Sequence, residues 1–86
     1  MADDAMRKAI IAYIIKEYID DEDEAADLDA STELIASGLI DSFSITSIRN
    51  WLEKTYDVKI PDELGTTENF ATVDKIVAVV NAQKAG

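Results

Sequence analysis

Residues 38–61 read GLIDSFSITSIRNWLEKTYDVKIP, and this stretch contains the start, the body and the end of one amphipathic helix. Its large apolar residues recur at intervals of three and four, the spacing that places side chains on one face of an α-helix. Pro61 ends the pattern, because proline disfavours the helical conformation in the residue before it. The spacing predicts a helix from about Ser42 to Tyr56, with an apolar face made of Ile45, Ile48, Leu52 and Tyr56.

Two further segments show the same helical spacing. The first runs from Ala5 to about Ile19, and either Asp3 or Asp4 can cap it; its apolar face is made of Met6, Ile10, Tyr13, Ile14 and Tyr18. The second follows Thr72, a residue type that caps helices, and its apolar face is made of Val73, Ile76, Val77 and Val80. No segment alternates with a period of two, so we expect no sheet.

The connections between these helices are mainly polar. Residues 20–30, DDEDEAADLDA, contain seven acids and predict a loop, followed by a helical turn that ends at Gly38. Residues 61–70, PDELGTTENF, predict a loop with at most a short helix that begins near Thr66 or Thr67. Three apolar helix faces can be buried only against one another. We therefore expect an all-α fold, a small bundle of three main helices with a long first loop and a short helix between the second and the last.

The composition limits the classes of function that this chain can have. It has 86 residues, which predicts a single domain over residues 1–86, and its net charge of −10 excludes nucleic acid as a partner. No run of eighteen apolar residues occurs, and the start MADDAMRK lacks the pattern of a secretory signal, so we expect a cytoplasmic protein with no membrane insertion. We expect it to be a monomer.

The acidic segment invites comparison with a calcium-binding loop. An EF-hand loop that began at Glu22 would have Glu33 at its twelfth position, as the motif requires. However, Asp27 would replace the glycine at the sixth position, and Ala26 and Ala30 would fall where ligands belong. We therefore expect no metal site.

Asp41 and Ser42 stand where the central helix begins, and three interpretations apply to them. Either side chain can accept a backbone N–H and cap the helix. A nucleophilic serine is disfavoured, because the chain has no histidine to act as its base and no S-x-x-K spacing. A phosphate joined to Ser42 would be stabilised by the free N–H groups and the positive dipole of the helix N-terminus. Capping and phosphate attachment are compatible.

The order of these features resembles the acyl carrier and peptidyl carrier proteins. In that family a glycine, an Asp-Ser pair and a large apolar residue open the second helix, which ends in a Leu-Glu and aromatic pattern followed by Ile-Pro. The matching elements here are Gly38, Asp41-Ser42-Phe43, Leu52-Glu53, Tyr56 and Ile60-Pro61. Residues 68–80, ENFATVDKIVAVV, are similar to the Thr-Val opening of the family's last helix. The resemblance covers nearly the whole chain.

The resemblance implies that Ser42 carries covalent 4′-phosphopantetheine, whose thiol holds an acyl or aminoacyl cargo as a thioester. It also implies that Asp41 supports the modification by helping to position the metal ion and the serine in the phosphopantetheinyl transferase. The implied partners are this transferase, an adenylating acyl or aminoacyl ligase or an acyltransferase, and downstream acyl-using enzymes. The protein itself would not be an enzyme. The alternative is a protein–protein interaction domain of the same fold in which Ser42 stays unmodified.

Two departures from the carriers of fatty-acid synthesis bear on the subtype. Leu39 and Ile40 separate the glycine from the Asp-Ser pair, where those carriers usually have one residue. The second helix also contains few acids, because they concentrate in residues 20–29. The chain is in these respects more similar to D-alanyl carriers and to free-standing carriers of specialised lipid or secondary metabolism.

The surface that partners would recognise is predicted from the spacing along the second helix. Ser42, Thr46 and Asn50 recur at intervals of four and form a polar strip, with Phe43 and Ser47 beside it. We call Phe43, Thr46, Ser47 and Asn50 the recognition face. The alternative for Thr46 and Asn50 is that they are only the solvent-facing residues of an amphipathic helix. Trp51, beside the apolar face, is expected at the edge of the core.

Overall fold

The computed structural model describes residues 2–85, and the remaining two residues of the predicted domain, 1 and 86, lie outside it. Its helices are α1 (Ala2–Tyr18), α2 (Glu22–Asp27), α3 (Ser44–Tyr56) and α4 (Val73–Ala85), with a 3₁₀ helix (Asp62–Leu64) between α3 and α4. No strand occurs within residues 2–85. The prediction of an all-α bundle with three main helices is confirmed.

Helices α1 and α4 run antiparallel to each other. The side-chain amide of Asn81 donates to the Asp3 carboxylate at 3.0 Å, and Arg7 Nε donates to the Asp74 carboxylate at 2.7 Å. Later residues of α1 therefore pair with earlier residues of α4. The hydrogen bond with Asp74 is also the main reason that the pKa of Arg7 lies above its ordinary value.

The start of α3 lies at the same end of the bundle as the start of α4. At the opposite end, the Lys84 ammonium lies 5.9 Å from the centre of the Tyr56 ring, so the last turns of α3 and α4 are neighbours. The first connection is tied to the beginning of α4, because Leu34 N–H donates to Ala71 C=O at 2.7 Å. One end of the bundle thus combines two helix N-termini with the long loop.

The predicted apolar faces form the core. The large side chains that the three main helices bury are Met6, Ile10, Ile14, Ile45, Ile48, Leu52, Val73, Ile76, Val77, Val79 and Val80. The connections contribute six further buried side chains, Ile19, Leu28, Leu34, Ile40, Ile60 and Phe70. Burying a side chain of this size stabilises a fold by about 1.5–3 kcal/mol. The loops are therefore held by the core as firmly as the helices are.

Trp51 lies at the edge of the core, as predicted. It is half-buried and stacks on Tyr13, with ring centres 4.3 Å apart and an angle of 18° between the planes. Tyr56 also contacts Trp51, edge to face, with ring centres 6.1 Å apart. Burial raises the pKa of Tyr56, and burial together with the nearby Tyr18 raises the pKa of Tyr13. The aromatic residues predicted on the apolar faces thus flank the core and are not enclosed by it.

Three sequence-based boundaries were wrong. Residues 20–30 do not form a loop throughout, because α2 occupies Glu22–Asp27 with Asp21 as its cap: the Asp21 carboxylate accepts the N–H of Asp23 at 2.8 Å. Helix α1 begins at Ala2, so Asp3 and Asp4 lie in its first turn and do not precede it. The short helix before α4 begins at Asp62, whereas Thr66 and Thr67 follow it in a turn.

Candidate functional site

Asp41 caps the helix that carries the predicted site. Its carboxylate oxygen Oδ1 accepts the Ser44 N–H at 2.9 Å and the Ser44 hydroxyl at 3.0 Å. The Asp41 carbonyl oxygen also accepts the Ser44 N–H at 3.1 Å, so residues 41–44 form one tight turn that leads into α3. Of the two predicted caps, Asp41 performs this role. The regular helix starts at Ser44, two residues after the predicted start.

The residue before the cap fixes this turn to the core. Ile40 is only 4% exposed and its N–H donates to Leu34 C=O at 3.1 Å. Ile45, four residues after Asp41, is buried in the same core cluster. Apolar residues on either side of a cap in this arrangement fix the angle at which the chain enters a helix. Gly38, with φ of +84°, provides the left-handed turn that precedes them.

Ser42 lies inside the capping turn with its side chain exposed to solvent. Its carbonyl oxygen accepts the Ile45 N–H at 3.4 Å, so its backbone belongs to the turn. Its hydroxyl makes no side-chain hydrogen bond to any of residues 2–85. The Ser42 side chain is therefore open to solvent and is not held by another side chain of the described residues.

The recognition face is exposed along its whole length. Phe43, Thr46, Ser47 and Asn50 are all exposed, and Phe43, at 86%, is the large apolar side chain of the described residues with the most exposure. The next exposed residue along this face is Lys54. None of these five residues is acidic, so they combine one aromatic ring with neutral polar groups and a cation, and the exposed Asp41 adjoins them at the start of α3.

The sequence assigned no hydrogen bond or ion pair to two charged residues on the flank of α3, although one of them, Glu53, belongs to the Leu-Glu element of the resemblance. Glu53 Oε2 accepts the Ile60 N–H at 2.8 Å and so holds the segment that returns from α3. Arg49, one turn earlier, places Nη1 2.6 Å from the Asp62 carboxylate at the start of the 3₁₀ helix. Their spacing of four residues was visible in the sequence, but on an amphipathic helix such charges usually face solvent. The hydrogen bond between Glu53 and Ile60 thus joins the Leu-Glu and Ile-Pro elements of the resemblance.

Asp29 organises the loop that leads towards this end of the bundle. Its carboxylate accepts the Ser31 N–H at 2.9 Å, the Ser31 hydroxyl at 2.9 Å and the Thr32 hydroxyl at 3.0 Å. These hydrogen bonds, with those from Ser31 the strongest, lower the pKa of Asp29. Five residues after Asp29 the chain reaches Leu34, whose N–H donates to Ala71 C=O in the segment before α4.

The chain matches the family model described as the phosphopantetheine attachment site over residues 10–80. The chain belongs to this family. The match includes the capping turn, all of α3 and most of α4. Members of the family carry 4′-phosphopantetheine covalently on a serine, and as carrier domains they are not enzymes. The predicted resemblance to acyl carrier proteins is confirmed at the level of the family.

Membership implies interaction with a phosphopantetheinyl transferase and with acyl-using enzymes in general. No curated protein matches the chain significantly. None of the helices in residues 2–85 has the length and apolar character that spanning a membrane requires.

Proposed function

We propose that this carrier domain holds an acyl or aminoacyl cargo as a thioester on 4′-phosphopantetheine attached to Ser42. The exposed Ser42 hydroxyl, free of side-chain hydrogen bonds at the start of α3, is the observation that carries the proposal. Two other serines of the same region are engaged, because the hydroxyl of Ser44 bonds to Asp41 and that of Ser37 bonds to the Glu33 carbonyl oxygen. Ser47 is exposed as Ser42 is, so exposure alone does not distinguish Ser42. Ser42 also stands in the Asp-Ser pair that the family resemblance places at the attachment point.

The residues around Ser42 suit a phosphodiester. The N-terminus of α3 offers free N–H groups and the positive end of the helix dipole, and both favour an attached phosphate. Asp41 keeps the turn in place by accepting from Ser44, and we propose that its carboxylate also supports modification in the transferase. When bound, the group supplies the reactive thiol that this cysteine-free chain lacks.

The recognition face is the surface on which we propose that partner enzymes dock. An aromatic side chain as exposed as Phe43 is a typical binding anchor, because burying it in a partner's pocket removes apolar area from water. The face lacks acids, so a partner that binds carriers through basic patches gains little attraction here. This supports a role in specialised lipid or secondary metabolism, with loading by an adenylating ligase or an acyltransferase in the cytoplasm.

Intact-mass measurement tests the attachment. The protein is incubated with coenzyme A, magnesium and several phosphopantetheinyl transferases of broad specificity. We expect the mass to increase by one phosphopantetheinyl group, and Ser42→Ala to abolish the increase. Ser37→Ala, which removes another exposed serine of the same end of the bundle, is the matched control and should be modified normally. No increase for the wild-type chain with any transferase would instead favour an interaction domain with unmodified Ser42.

A further inference from the structure

Arg49 contains a buried donor that the fold does not use. Its side chain is 18% exposed, and its Nε atom is buried with no hydrogen-bond partner in the described residues. Only Nη1 of the guanidinium is engaged, with the Asp62 carboxylate at 2.6 Å. A buried N–H without an acceptor is unfavourable and rare in folded proteins. We therefore expect an acceptor that does not belong to the polypeptide itself.

The segment that covers Arg49 is weakly held. The Asp62 side chain is 94% exposed, and ion pairs so open to solvent contribute little to stability. Gly65 lies directly over the guanidinium, because a Cβ atom at this position would be 3.2 Å from Arg49 Nη1. The unused Nε further weakens the closed arrangement. None of residues 62–65 is buried, although Leu64 packs against the core, so Gly65 can shift away from the guanidinium while the buried core stays in place.

Arg49 lies on the flank of α3 that also leads to Ser42. Thr46 is four residues after Ser42 and Arg49 is three residues after Thr46, intervals that place side chains on one side of a helix. From Ser44, where α3 begins, to Arg49 the helix rises by about 7.5 Å. The buried donor is thus two turns from the proposed attachment point and on the same side.

We propose that Arg49 Nε–H donates a hydrogen bond to phosphopantetheine attached at Ser42, through an amide or thioester carbonyl oxygen of its arm. Gly65 moves to admit this oxygen, while Asp62 keeps its ion pair with Nη1. Carbonyl oxygens accept hydrogen bonds but carry no full charge, so they fit a donor whose positive charge Asp62 already balances. The inference rests on the proposed modification of Ser42 and adds to it a binding contact in the carrier itself.

Nuclear magnetic resonance of the arginine Nε–H groups tests this contact directly. The chain has two arginines, so the ¹⁵N spectrum contains two such signals, and Arg7→Lys assigns them. In the modified protein we expect nuclear Overhauser effects between Arg49 Hε and arm protons. We also expect hydrogen exchange at this Nε–H to slow about tenfold, because it gains an acceptor. Arg7 Nε, already bonded to Asp74 at 2.7 Å, should change in neither respect.

Two variants separate the donor from the charge. Arg49→Lys keeps a cation for Asp62 but has no Nε–H, so contacts between the arm and this flank of α3 should disappear. Asp62→Asn removes the ion pair but keeps the donor, so the Overhauser effects to Arg49 Hε should remain. A modified wild-type protein without these effects would overturn the inference and leave the attachment at Ser42 intact. No mass increase before the spectra would overturn both.

Discussion

Replacement of Asp41 separates its two proposed roles, the cap of α3 and the support of modification. Asp41→Ala removes the carboxylate that accepts the Ser44 N–H at 2.9 Å and the Ser44 hydroxyl at 3.0 Å. Asp41→Asn keeps an acceptor oxygen and loses only the charge, and asparagine ranks with aspartate among N-cap residues. The pair of variants therefore differs in capping, whereas both lack the carboxylate.

The loss of stability expected for Asp41→Ala depends on the hydrogen bonds of Ser44 that remain in this variant. Loss of an N-cap side chain costs about 0.5–2 kcal/mol. The Ser44 N–H keeps the Asp41 carbonyl oxygen at 3.1 Å, and the Ser44 hydroxyl can turn to solvent, so we expect the lower half of this range, about 0.5–1 kcal/mol. For a chain of this size such a loss lowers Tm by about 2–8 °C. Asp41→Asn should retain a Tm close to that of the wild type.

Thermal unfolding followed by circular dichroism measures the cap, and the rate of mass increase with a phosphopantetheinyl transferase measures the modification. We expect both variants to be modified more slowly than the wild type, although only Asp41→Ala is less stable. Equal destabilisation by alanine and asparagine would refute the capping argument. Modification of Asp41→Asn at the wild-type rate would refute the proposed role of the charge.

Three further predictions concern the surroundings of the site. Glu53→Ala removes the acceptor of the Ile60 N–H and should lower the free energy of unfolding in urea by about 1–3 kcal/mol. Glu53→Gln keeps an acceptor and should lower it by less. Equal losses in the two variants would contradict this role of Glu53. Phe43→Ala should reduce kcat/KM for loading by about tenfold and leave stability unchanged, because the ring is exposed. Thr55→Ala, which changes an exposed residue elsewhere on α3, should alter neither quantity. An unaffected kcat/KM in Phe43→Ala would remove Phe43 from the recognition face. Hydrogen bonds from Ser31 and Thr32 lower the pKa of Asp29 in the folded chain, so its carboxylate stabilises the loop at pH values above the ordinary pKa of 3.8. This stabilisation is lost as the pH falls through the lower pKa of the folded state. The rate of amide exchange in residues 29–32, relative to the intrinsic rate of an unfolded chain at the same pH, should therefore rise as pH falls below 3.8, and it should not in Asp29→Asn.

The helices that build the core could be predicted from the sequence because burial leaves a periodic pattern. Ile45, Ile48 and Leu52 are all buried as their spacing required, and Thr72 caps α4 by accepting the Lys75 N–H at 3.2 Å. Helix α2 could not be predicted in this way, because none of its residues is buried. Its one local signal was Asp21, a capping residue followed by acids that favour a helix N-terminus.

The candidate site was predictable only in part, for a related reason. Asp41 and Ser42 stand at a helix start, and local sequence determines that position. The role of Arg49 depends on Asp62 and Gly65, which approach it only once the chain has folded back beside α3. An arginine between apolar residues of an amphipathic helix has the same pattern whether it faces solvent or lies under a loop. Tertiary contacts alone distinguish the two.

The central claim is that the oxygen of Ser42 carries the phosphopantetheinyl group, and a phosphorus–proton correlation spectrum of the modified protein tests it most directly. A phosphodiester at this position couples its phosphorus to the β-protons of the serine that bears it. We predict a cross-peak between the phosphorus and the β-protons of Ser42. A cross-peak to the β-protons of any other serine, such as Ser44 or Ser47, would contradict the account.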